Sequence, residues 1–140
     1  MTFQNIRLPS EAFVYRHVPY RHLLGDGDIS PYAFFNSKDP IEIDGIGNVK
    51  GMSTNWIKLC SPLEAFKKHP ERDKKGKRFR GALVKISVDV MERLPDMQIT
   101  YHTPTSDPSH STVVGDKTTA VQAVLAEHCE VVIPSEDYLF

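Results

Sequence analysis

Hydrophobic and polar positions are patterned most legibly in the last third of the chain, HSTVVGDKTTAVQAVLAEHCEVVIP over residues 110–134. Ser111–Val114 is a short β-branched run closed by Gly115-Asp116, and Asp116 has the chemistry of a helix cap. Ala120, Val121, Val124 and Leu125 then recur at helical spacing, which predicts a helix with one apolar face. Cys129–Ile133 is a second β-branched run, stopped by Pro134. About a dozen residues separate the two runs, enough for a crossover helix and a parallel pairing of the strands. Val121, Val124, Leu125, Val131 and Ile133 are the expected core of this unit, with Trp56, the only tryptophan, packed among them.

Upstream, Ala12–Val18 alternates as a strand, with Phe13, Tyr15 and His17 on one face and Val14, Arg16 and Val18 on the other. Arg16 thus falls among apolar neighbours, where a charge needs a partner, a cleft or the solvent of an edge strand. Ile41 and Ile43 alternate with acids and predict a strand or hairpin arm, turned by Gly45 and Gly47-Asn48. Lys50–Leu59, Gly81–Val88 and Met97–Thr103 are further strands. Ser61-Pro62-Leu63-Glu64 has the cap, the proline and the glutamate of a helix start, and the helix runs to about His69. Asp89 and Glu92 make a similar signature for one or two turns. Tyr32, Phe34 and Phe35 read as plugs beneath a long loop, and residues 1–11 as a poorly ordered or loosely docked arm. Five or six strands and two or three helices predict an α+β fold with a mixed sheet and a C-terminal strand-helix-strand unit, one domain over residues 1–140.

Composition narrows the function classes more than it selects one. The formal net charge is −1, so no global field recruits nucleic acid or membrane. No run reaches the roughly 20 apolar residues of a membrane span, and the N-terminus has no apolar signal core. Cys60 and Cys129 are far apart and unpatterned, which points to thiols in a reducing cytoplasm. Residues 67–80 hold eight basic and two acidic side chains. Lys67, Lys68, Lys74, Lys75, Lys77, Arg78 and Arg80 could meet a phosphate backbone or simply solvate a loop. Phe79 is its lone aromatic, so there is no interleaved stacking pattern.

The familiar motifs of catalysis are missing. Gly25-Asp26-Gly27-Asp28 is a turn cluster without the spacing of an EF-hand calcium loop. None of the six histidines, His17, His22, His69, His102, His110 and His128, has a partner at the i, i+4 spacing of a helical zinc site, so no metal is expected. A glycine-rich phosphate loop and a nucleophile elbow are absent too. His110-Ser111-Thr112 fits the His-x-Thr pattern of 2H phosphoesterases but lacks the second copy that chemistry needs.

One ordered set remains: Tyr15-Arg16 on an early strand, Met52-Ser53-Thr54 on a middle one and Glu130–Pro134 on the last. It resembles the Arg–Ser–Glu class of ADP-ribosyltransferases. The resemblance implies an enzyme that handles NAD. Arg16 would hold a cofactor phosphate, Ser53 and Thr54 would support the nicotinamide-ribose region, and Glu130 would stabilise an oxocarbenium-like centre. Two positions depart from the class pattern: Asn55 stands where it has a third Ser-Thr-Ser residue, and His128 where it has an acid or amide. A broader set, Tyr15-Arg16, Gly27-Asp28-Ile29, Ala33-Phe34, Ser53 and Pro108–Ser111, is similar to small bacterial proteins to which no activity attaches, and it draws His110 in as a second catalytic candidate. Against a nucleotide-handling enzyme stands a non-catalytic module that contacts nucleic acid or protein through residues 67–80. Convergence of Arg16, Ser53, His110 and Glu130 in one cleft would separate the two.

Overall fold

A computed structural model describes residues 1–69, 80–95 and 97–135. Nine strands and three α-helices are formed among them: β1 (Thr2–Phe3), β2 (Phe13–Val18), β3 (Ile41–Ile43), β4 (Gly47–Val49), β5 (Gly51–Trp56), α1 (Pro62–Lys67), β6 (Ala82–Ser87), α2 (Val88–Glu92), β7 (Ile99–His102), β8 (His110–Val114), α3 (Thr119–His128) and β9 (Glu130–Ile133). The class is α+β. A six-stranded sheet runs in the order β7-β8-β5-β2-β6-β9, and a three-stranded sheet in the order β1-β3-β4.

The main sheet has unlike faces because its strands alternate. Val14 and Val18 of β2, Met52 of β5, Val84 and Ile86 of β6 and Val113 of β8 pack against Val121 and Leu125 of α3, Met91 of α2 and the loop residues Ala33 and Phe34. The opposite face carries a second apolar cluster at one end, where Tyr15, Leu83 and Ile133 receive Ala65 and Phe66 of α1. Ser61 caps α1 in a reciprocal capping box with Glu64, as the sequence predicts. The other short helices start elsewhere than expected. The cap of α2 is Ser87 rather than Asp89, and that of α3 is Thr118 rather than Asp116. In both, a hydroxyl beside the first helical residue reaches the free N–H, which the expected aspartate does not.

The C-terminal unit departs from expectation in its pairing. All pairings around β8 and β9 are antiparallel: β8 with β5 and β7, and β9 with β6. Strands β8 and β9 point the same way but have three strands between them, so α3 crosses the apolar face instead of joining neighbours. Putting β9 on the edge also exposes Val131, which is 48% accessible, while Ile133 is buried. Val121 and Leu125 are buried as predicted; Val124 and Trp56 are half-buried against the core. The first residues meet the rest of the chain at a few points. β1 pairs parallel with β3, the Leu8 amide donates to the Thr100 carbonyl, and Leu8 is buried.

Among the described residues, no helix is long and apolar enough to cross a membrane. Residues 70–79, which contain Lys74, Lys75, Lys77 and Arg78 of the basic run, lie outside the described residues, as does the apolar tail 136–140.

Candidate functional site

Strands β2 and β5 are central neighbours, yet they pair only at Val14–Trp56 and Tyr15–Asn55. Continued pairing would set Arg16 opposite Thr54 and His17 opposite Ser53. Instead the strands part, and the Arg16 side chain occupies the seam. Its Nη1 donates to the Ser53 carbonyl at 2.9 Å, and its Nε and Nη2 donate to the Ala33 carbonyl at 3.4 and 3.1 Å. The guanidinium carbon lies 4.7 Å from the centre of the Phe35 ring. The residue is only 7% exposed, and no carboxylate among the described residues forms an ion pair with it. Burial alone pulls its pKa down to about 10, so it stays charged near neutrality. Of five N–H groups three are used, leaving one on each terminal nitrogen without an acceptor among the described residues.

The parted strands open a groove of about 230 Å³ lined by Arg16, His17, Pro19, Phe35, Ser37, Ser53 and His69. Its charge is one-sided. The pKa of His69 is lowered to about 4, first by burial and then by the neighbouring His17, Arg16 and His110, with Asp107 opposing weakly. Among the described residues the groove lining carries Arg16 and imidazoles and no carboxylate, the charge balance of a site for an anion.

Behind the groove lies a chain of polar contacts on the same face. Ser53 Oγ is 3.0 Å from His110 Nε2. His110 Nδ1 is 3.0 Å from the Thr103 carbonyl and 2.8 Å from Thr103 Oγ1, which is itself 3.0 Å from Thr112 Oγ1. This follows from register: Ser53 pairs with Thr112 across β5 and β8, and Tyr101 pairs with Thr112 across β8 and β7. Beside it, Asp107 accepts from Asn55 Nδ2 at 2.7 Å and from Ser109, and pairs with Lys68 at 2.9 Å. Burial raises the Asp107 carboxyl, but the bonds from Lys68, Ser109 and Asn55 outweigh it and hold the pKa at about 2. The bond from Asn55 Nδ2 gives that residue a holding role for the 104–109 loop.

The sequence candidates are thus partly gathered. Arg16 and Ser53 share the groove, and His110 adjoins it through Ser53. Thr54 is turned to the other face, where its hydroxyl meets Ser111 Oγ at 2.7 Å. Glu130 stands exposed on the edge strand β9, paired with Lys85 at 3.0 Å and outside the groove lining. Lys68 is engaged by Asp107, and the Arg80 guanidinium sits 3.7 Å over the Tyr20 ring. Three contributors escape sequence reasoning. Phe35 and His69 reach the groove from a loop and from beyond a helix end, with no local pattern to mark them. Thr103 was legible only as the next same-face position after Tyr101. A larger hollow of about 400 Å³ between the 20–29 loop and β9 is lined by Leu23, Leu24, Ile29, Ala82 and Val131 among others, with no charged side chain among the described residues that line it. Size alone does not make it the better candidate. Among the described residues, no cluster of His, Cys, Asp or Glu is placed to hold a metal ion.

Comparison of the chain with protein-family models, with curated proteins and with solved structures returned no match.

Proposed function

We propose that the groove between β2 and β5 binds the phosphate of a small nucleotide-class ligand, and that the protein is an enzyme acting on that ligand. The observation that carries this reading is Arg16. A guanidinium is seldom buried without an anionic partner, because removing the charge from water is costly. Here two carbonyls hold the group in place, while one N–H on each terminal nitrogen has no acceptor among the described residues and can donate to phosphate oxygens. Ser37 and Ser53 add hydroxyls, and His69 adds an imidazole that can take up a proton as an anion enters.

NAD is the nucleotide the resemblance to Arg–Ser–Glu transferases favours. Arg16 and Ser53 share one groove, as a phosphate contact and a neighbouring ribose contact would. Glu130 stands apart with Lys85, so a ligand that uses it must extend from the groove across β6. At about 230 Å³ the groove takes a phosphate and part of a sugar rather than a dinucleotide, which agrees with a ligand lying partly outside.

Titration of inorganic phosphate, AMP and NAD, followed through the Arg16 Nε–H and histidine side-chain NMR signals, tests the reading. Arg16 and His69 should shift together, with NAD or AMP binding more tightly than phosphate alone, and Arg16→Gln should abolish the response. Signals that stay still at millimolar nucleotide would end the proposal.

A further inference from the structure

We infer that Ser53 is a nucleophile activated by His110, and that it attacks the phosphorus of the phosphate ester or anhydride held by Arg16. The inference rests on the anion-groove reading for its substrate, but its own evidence is separate and lies in the hydrogen-bond directions. The Thr103 carbonyl oxygen can only accept, and it lies 3.0 Å from His110 Nδ1. In the neutral ring the proton therefore sits on Nδ1, shared between that carbonyl and Thr103 Oγ1 at 2.8 Å. Thr103 Oγ1 is free to accept because its own hydrogen can go to Thr112 Oγ1 at 3.0 Å. Nε2 is then left with a lone pair, and the group facing it at 3.0 Å is the Ser53 hydroxyl. So the Ser53 proton points at a base whose tautomer is set from behind, the relation of nucleophile, base and orienting group that serine chemistry needs. Ser53 also lines the groove, and its own carbonyl anchors the Arg16 guanidinium. Reactive hydroxyl and anion holder are thereby fixed on one residue of β5.

The step balances without a co-reactant other than water. Ser53 Oγ forms a bond to phosphorus as its proton passes to His110 Nε2. The bond from phosphorus to the leaving oxygen breaks, the electron pair departs with that oxygen, and Nε2–H returns the proton to it. Water then attacks the phosphoserine with Nε2 as base, and Ser53 leaves with the proton. The free N–H groups of Arg16 face the non-bridging oxygens on which charge gathers. Thr103 acts through His110 and is a positioning residue.

The test uses the intact chain and a fluorophosphonate probe, in which fluoride is the leaving group. Peptide mapping should find the adduct on Ser53, and Ser53→Ala should take none. His110→Gln should slow labelling about 100-fold or more, the usual share of a general base. Labelling confined to other residues, or a His110→Gln rate equal to the wild type, overturns the inference. Should His110→Gln not fold, the wild type still decides. Its imidazole ¹⁵N correlations should show the Nδ1–H tautomer for His110, and an Nε2–H tautomer overturns the assignment. Phosphate titration of the same sample separates the two readings. Phosphate binding without a Ser53 adduct defeats the nucleophile alone, whereas a Ser53 adduct without phosphate binding defeats the groove reading alone.

Discussion

The imidazoles of His17 and His69 lie stacked at the groove, ring centroids 5.4 Å apart and planes 15° from parallel. Two protonated rings at that distance would repel, and Arg16 already supplies a buried positive charge beside them. His69 accordingly stays neutral in the folded protein until about pH 4, through burial first and its cationic neighbours second. The unfolded chain binds that proton near pH ~6.5. Between those values the unfolded state holds more protons, so stability falls as pH drops from about 6.5 towards 4 and levels off below. Urea melts across this range should show the decline, and His69→Phe should flatten it. A bound phosphate should reverse part of the effect, because an anion raises the pKa of His69. Proton uptake on phosphate binding at pH 5, measured by calorimetry in buffers of different ionisation enthalpy, checks that link.

Asp107 governs a separate, more acid window. Its carboxyl is held at about 2 by bonds from Lys68, Ser109 and Asn55 that overcome the effect of burial. A depressed carboxylate contributes stability above its unfolded value near ~3.9 and loses it as pH falls through the folded value. Asp107→Asn should remove the loss between about pH 4 and 2, and it should deepen the histidine window slightly, because the Asp107 charge opposes the lowering of His69. It should also loosen the 104–109 loop, which limited proteolysis would reveal.

Arg16→Met separates binding from folding. The substitution removes a desolvated cation that has no described counter-ion, which favours the folded state, but it leaves the Ala33 and Ser53 carbonyls without their donor, which opposes it. The two effects offset, so unfolding free energy should change by no more than about 2 kcal/mol. Nucleotide binding should nevertheless vanish. A variant that unfolds outright would mean that Arg16 is chiefly a structural clasp.

Two apolar residues near the C-terminus should behave oppositely. Leu125 is fully buried under the sheet, and Leu125→Ala should cost about 2–5 kcal/mol. Val131 is 48% exposed on the edge strand, and Val131→Ala should stay within about 0.5 kcal/mol. Denaturant midpoints of the two variants decide it.

Elements with a local cause were readable in the sequence. The capping box at Ser61 and Glu64, the alternation of β2 and the apolar stripe of α3 all depend on neighbours a few residues away. Pairing depends on distant ones. The strand-helix-strand pattern from Ser111 to Ile133 suits a parallel neighbour pair, and nothing local says that β5, β2 and β6 fill the space between. Arg16 was legible as a charge out of place on a strand, and that anomaly led to the groove. Glu130 was legible only as a motif position. Its surroundings come from β6, over forty residues away in the chain, where Lys85 receives it.

The short pairing of β2 with β5 has a mechanical consequence. Two residue pairs and one guanidinium join the halves β7-β8-β5 and β2-β6-β9, whereas β2 and β6 are laced along six consecutive positions. The sheet is therefore softest along its own midline, and the groove lies on that line. An anion that grips Arg16 would act as a stitch across it, stiffening the whole sheet from one contact. Amide exchange would register this as slowed opening in strands the ligand never touches.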